Sequence, residues 1–112
     1  MDFHAVNMND VPLEKSGQGQ VRHLLRAAER GSAQIMVRYW GPQTDLPVHS
    51  HPYNEMFYVL DGEVEMGGTV YKAGACIFIP KGVEYGPTRA PNGGTVLRYV
   101  ESRSGPMEKK QA

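Results

Sequence analysis

Thirteen glycines and eight prolines interrupt this 112-residue chain every few positions, and no long segment keeps a helical period. Glycine is costly inside regular elements and proline removes a backbone donor, so both collect in turns. Between them lie short β-branched and aromatic runs, which indicate an all-β sandwich or barrel. Candidate strands cover 20–27, 33–40, 55–60, 63–66, 69–72, 75–79 and 95–101. Asp61-Gly62 and Gly67-Gly68 can adopt the positive φ angles of tight hairpins. Leu24, Leu25, Ala27 and Ala28 are good helix formers, yet an all-β fold has no obvious place for two turns of helix, so strand is preferred there. Within 33–40, Ile35, Val37 and Tyr39 share the face better suited to a barrel interior. Gln34, Met36, Arg38 and Trp40 share the other, a mixture that suits either a subunit interface or plain surface.

The length fits one domain, 1–112, with a barrel core at about 20–101. Residues 1–19 read as an arm and 102–112 as a flexible polar tail. Twelve basic and twelve acidic residues balance, and apart from Lys109-Lys110 they are scattered. That distribution gives no electrostatic footprint for nucleic acid or for an anionic membrane. Cys76, the single cysteine, excludes an internal disulfide and falls in an apolar run where a buried thiol is expected. The first residues lack a basic flank and apolar stretch, and no segment is long enough to span a bilayer, so a cytoplasmic location is expected.

Chemistry concentrates at His49-Ser50-His51, followed by Glu55. Two imidazoles and a carboxylate are donor types that transition metals choose. On an extended strand, His49 and His51 point the same way, roughly 6–7 Å apart, so both can reach one ion. Glu55 would lie about 20 Å from His49 on a straight strand, so the chain must reverse between them. Pro52-Tyr53-Asn54 supplies turn-forming residues for that reversal.

These residues resemble the first sequence motif of the cupin superfamily: His49-x-His51, Glu55 and Gly62. Gly74, Pro80 and Gly82 resemble the second. The resemblance implies a single-domain jelly-roll β-barrel with an ion in its mouth, commonly a homodimer. The sequence departs from the pattern in three places. Gln43 replaces a glycine before the first histidine, Arg89 replaces a later asparagine, and Tyr85 stands where a fourth ligand, usually histidine, is normal.

Tyr85 has three readings: a weak ligand, an acid, base or hydrogen-bond donor to substrate, or a wall residue with no chemical part. With three protein ligands, His49, His51 and Glu55 would leave open positions on one divalent ion, Fe, Zn, Mn or Ni. Iron would permit oxygenase chemistry; the others would assist a lyase, isomerase or cyclase. Tyr39, Phe57 and Tyr99 are candidates for an apolar substrate pocket, and Arg89 for meeting an anionic group. His4 and His23 have no partner spacing and are read as non-ligands. The expected function is a metal-dependent enzyme acting on a small oxygen-rich organic molecule; the competing class is a non-catalytic module binding a metal or metabolite.

Overall fold

The computed structural model describes residues 3–101, so the expected tail at 102–112 lies outside the described residues. Nine strands carry the fold: β1 (Glu14–Ser16), β2 (Gly19–Leu25), β3 (Gln34–Trp40), β4 (Asp45–Leu46), β5 (Glu55–Met66), β6 (Thr69–Lys72), β7 (Cys76–Ile79), β8 (Thr88–Arg89) and β9 (Gly94–Val100). A four-residue helix, α1 (Ala27–Arg30), follows β2 and closes on Gly31 at φ 62°. The helix-forming residues therefore win one turn at the end of the expected 20–27 strand. β1 lies inside the segment read as an arm, and β4 and β8 are two-residue strands too short to give a sequence signal.

All pairings are antiparallel, and they join at β5. Its first half lies between β9 and β7, and its second half pairs with β6 and β8. On the other side of β9 the sheet continues through β3, β2 and β1. One long strand thus bends from one sheet into the other and curls the whole into a barrel-like shell.

That strand corrects the expectation of two strands joined by a hairpin at Asp61-Gly62. The dipeptide sits at an irregularity between Val59 and Asp61 inside twelve continuous residues. Gly62 has φ 70°, and a Cβ there would run into the Gly93 carbonyl. Glycine is required here by a bulge and a close backbone approach, not by a hairpin. Gly67-Gly68 does form the expected tight turn, with both φ positive and Met66 opposite Thr69.

Register assigns the inward face. Glu55, Phe57 and Val59 of β5 oppose Val100, Arg98 and Val96 of β9, which oppose Gln34, Met36 and Arg38 of β3. Arg38 and Trp40 therefore look into the barrel, the reverse of the face expected from sequence. Trp40 is 5% exposed and packs with Phe57, Val59, Val64, Met66 and Val96, so it cannot serve a subunit interface. Val37, on the opposite face, is also buried, so β3 is covered on both sides. Cys76 corrects another expectation. It is exposed on β7, outside the core, across from the partly exposed Tyr58.

Candidate metal centre and cavity

β5 opens with an inward-facing carboxylate. Glu55 is 2% exposed, and an ionised group at that depth is costly unless paired. Arg98, inward on the neighbouring β9, donates to Glu55 Oε2 from Nε at 2.8 Å and approaches it with Nη2 at 2.7 Å. Nη2 also reaches the Tyr53 hydroxyl at 3.4 Å. Burial opposes the charge on Arg98, but the adjacent Glu55 carboxylate outweighs it and raises the pKa. Glu55 Oε1 is buried and meets no hydrogen-bond partner; His51 Nε2 stands 3.8 Å away.

The two histidines are held by the chain around them. His49 and Tyr85 form a two-way backbone bridge, at 3.1 and 3.0 Å, which places the second motif's tyrosine directly across from the first histidine. His51 is anchored by its carbonyl, which accepts from the Gly82 amide at 2.8 Å. The His49 ring donates Nδ1–H to the Pro47 carbonyl at 2.7 Å, so Nε2 keeps its lone pair. His51 stacks on Tyr53 with ring centroids 5.0 Å apart, and its Nδ1 lies 3.1 Å from the Tyr53 hydroxyl. The two imidazoles meet edge to face at 4.8 Å, with the Tyr85 ring 4.7 Å from His49.

Burial first, and then Glu55 as both a neighbouring charge and a hydrogen-bond partner, push the Tyr85 phenol pKa well above its usual value. Its ring, the two histidines and Arg98 form the polar end of a cavity of about 660 Å³. Trp40, Leu46, Pro47 and Phe57 supply apolar wall. Trp40 and Phe57 pack with centroids 5.9 Å apart, and the Arg98 guanidinium lies 5.8 Å from the Phe57 ring centre.

The structure thus brings His49, His51, Glu55, Tyr85 and Phe57 to one place. Three other expected pocket residues lie elsewhere. Tyr39 is on the opposite face of β3 and accepts from Arg22 Nε at 3.1 Å. Tyr99 has the outward parity on β9, across from Met56 and Ile35. Arg89 is exposed and turned to Asp45, at 3.3 Å, and Glu65. His4 is engaged by the Leu24 carbonyl and Arg30, and His23, on β2, does not line the cavity. Arg98, Tyr53 and Arg38 were not foreseen. Tyr53 carried one signal, its position inside the reversal between His51 and Glu55. The two arginines carried only strand parity, and that was ambiguous on β3 and β9.

Two of the three expected donors, His51 and Glu55, stand close enough to share one ion. Among the described residues no three imidazole, thiolate or carboxylate groups form a ready-made cluster. Ligands each about 2.0–2.2 Å from one ion can stand as much as about 4 Å apart, however. The 3.8 Å between His51 Nε2 and the partnerless Glu55 Oε1 is within that span. With Oε2 committed to Arg98, Oε1 and the two imidazoles are what the chain offers.

Known proteins share this architecture. The profile of the ChrR cupin-like domain matches residues 1–103. An RmlC-like cupin from Shewanella frigidimarina superposes with a TM-score of 0.74 at 21% identity, covering 91% of this chain and 93% of that one. The polyketide cyclase RemF from Streptomyces resistomycificus gives 0.82 at 19% identity, covering 99% and 87%. The complex of SigE with the anti-sigma ChrR from Rhodobacter sphaeroides gives 0.69 at 18%, covering 85% and 52%. None of the curated protein sequences matches the chain. At these identities the superpositions establish the fold.

Proposed function

The chain belongs to the ChrR cupin-like domain family, and from that footing we propose that it is a metal-dependent enzyme of the lyase, isomerase or cyclase type. Its substrate is a small, oxygen-rich organic molecule. The observation that carries this reading is the position of the Tyr85 phenol, its ring 4.7 Å from that of His49 on the wall of the cavity. A phenol donor there suits a step that builds charge on a carbonyl oxygen. Similarity to a polyketide cyclase is in keeping with the idea.

His49, His51 and Glu55 Oε1 would hold one divalent transition ion, Fe, Zn, Mn or Ni. Bound there, it supplies Lewis-acid polarisation of a substrate oxygen. Tyr85 donates its O–H to the oxygen where charge develops, and burial keeps that proton from leaving beforehand. Arg98 fixes Glu55 through Oε2 and leaves Oε1 facing His51. Pro47 fixes the His49 tautomer. Trp40, Phe57 and Leu46 keep one side of the cavity apolar and strengthen each of these interactions.

Two measurements on purified protein test the reading. Elemental analysis should find about one transition-metal ion per chain. Deuterium uptake at the central carbon of a 1,3-dicarbonyl probe should be catalysed, and Tyr85→Phe should slow it by roughly 10²–10⁴-fold with metal content retained. Wild-type exchange in Tyr85→Phe would remove the acid role. Loss of metal from that variant, with an altered pH dependence of binding, would make the phenolate a ligand instead.

A further inference from the structure

The barrel's inner face carries two guanidinium groups and one carboxylate. Arg98 is diagonal to Arg38 across the β3–β9 pairing, since Arg98 opposes Met36 and Arg38 opposes Val96. Like charges so placed repel, and each needs a counter-charge. Glu55 answers Arg98 alone. Arg38 has no carboxylate partner among the described residues. Its Nη2 makes two contacts to Ser16 at 3.4 Å, the long limit of a hydrogen bond, and its buried Nε makes none. Burial and the charge of Arg98 both weaken its hold on its proton.

We propose that this cavity is a site for an organic anion, with Arg38 as the group that binds its carboxylate or enolate. Three observations point the same way. Arg38 lines the cavity and has no carboxylate partner among the described residues, so an anion entering there meets a guanidinium not already neutralised. Thr88 is 1% exposed and lines the same cavity, yet its Oγ1 has no hydrogen-bond partner, so a second polar group there awaits one. Trp40 and Phe57 offer the ligand's body an apolar, aromatic wall. A guanidinium fork meets a carboxylate through two parallel N–H groups, geometry that a lysine lacks. The inference deepens the proposed function by naming the ligand's charge, and it rests on that reading's cavity, not on the metal.

Benzoate and its neutral isostere benzamide are suitable probes, with binding followed by calorimetry and by fluorescence of Trp40, the one tryptophan of the chain and part of the cavity wall. Wild type should prefer benzoate by about tenfold or more, the usual worth of a hydrogen bond to a charged group. Arg38→Gln should abolish the preference, weakening benzoate binding far more than benzamide binding. Arg38→Lys, which keeps the charge without the fork, should retain part of it, and serves if the glutamine variant fails to fold. The same titrations on His49→Ala/His51→Ala remove the metal as a competing anion site; the benzoate preference should survive there. Equal binding of the two probes, no benzoate binding into the high millimolar range, or a preference untouched by Arg38→Gln overturns the proposal. Wild-type protein that contains no metal on elemental analysis yet selects benzoate through Arg38 would defeat the metal reading alone.

Discussion

Both halves of β5 bury apolar side chains in one cluster, but only the first half adds a buried charge. Residues 55–59 place Glu55 beside Arg98 and Phe57 beneath Tyr85; residues 62–66 place Val64 and Met66 in an apolar cluster with Val96 and Ala90. Val64 is 0% exposed and Glu55 2%, so depth does not distinguish them. The difference lies in what each burial demands. A valine needs only neighbours that fill space, whereas a carboxylate needs a cation and fixed hydrogen bonds. The first half is therefore specified by partners distant in sequence, and the second by size.

The largest contrast concerns the metal. His49→Ala with His51→Ala should take metal content from about one ion per chain to none, by elemental analysis. Val64→Ala should leave it near one while lowering stability. Full metal content in the double variant would show that the polar half of the strand is not a metal site.

Stability gives the next contrast. Arg98→Met strands a buried carboxylate and should cost about 3–5 kcal/mol in urea unfolding. Val64→Ala should cost roughly 2–3 kcal/mol, from lost transfer energy and a small cavity. Adding Glu55→Gln to Arg98→Met should recover part of the loss, because it removes the orphaned charge. If Arg98→Met is no worse than Val64→Ala, the ion pair does not organise the site end of the barrel.

How much of this was legible in the sequence depends on the range of the cause. His49, His51 and Glu55 were readable because three donors and their turn lie within seven residues. The Gly67-Gly68 hairpin was equally local. The continuity of β5 was not, because Asp61-Gly62 looks the same in a hairpin and in a bulge; the Gly93 carbonyl, far along the chain, decides between them. Arg98 was hidden because Val96 and Val100 compete with Leu97 and Tyr99 for the inward parity. On β3 each face holds a buried apolar residue, Met36 and Trp40 on one and Val37 on the other, so alternation favoured the wrong side for Arg38 and Trp40. An anion-binding role was looked for at Arg89, nearest the motif, while the cavity's arginines come from β3 and β9.

The bend between the halves can be tested against a glycine elsewhere. Gly62 and Gly31 have similar φ, 70° and 62°, but only Gly62 faces a carbonyl where a Cβ would sit. Gly31→Ala should cost about 1–2 kcal/mol, the left-handed backbone alone. Gly62→Ala adds the steric term and should cost roughly 2–4 kcal/mol in the same urea assay. Equal losses would mean that β5 can bend without the close approach to Gly93.

The smallest effect extends the comparison to a buried polar atom without the partner that Glu55 has. His23 sits on β2 opposite Met36, and its Nδ1 is buried with no hydrogen bond. Burial first, and then Arg26, push its pKa below the ordinary 6.5; Arg38 adds to the depression, while Glu14 and Glu29 oppose it. The unfolded chain takes up a proton near pH 6.5, whereas the folded chain does so only at lower pH. His23 thus favours the folded state above pH 6.5, and that contribution is lost as pH falls toward the folded-state value. The slope stays below the one-proton limit of about 1.4 kcal/mol per pH unit, reduced further because the side chain is partly solvated. Urea midpoints compared at neutral and mildly acid pH should therefore shift less in His23→Gln than in wild type, with metal content equal in both. An identical pH dependence would place this imidazole in water, and β2 would then carry no buried polar cost to set against Glu55.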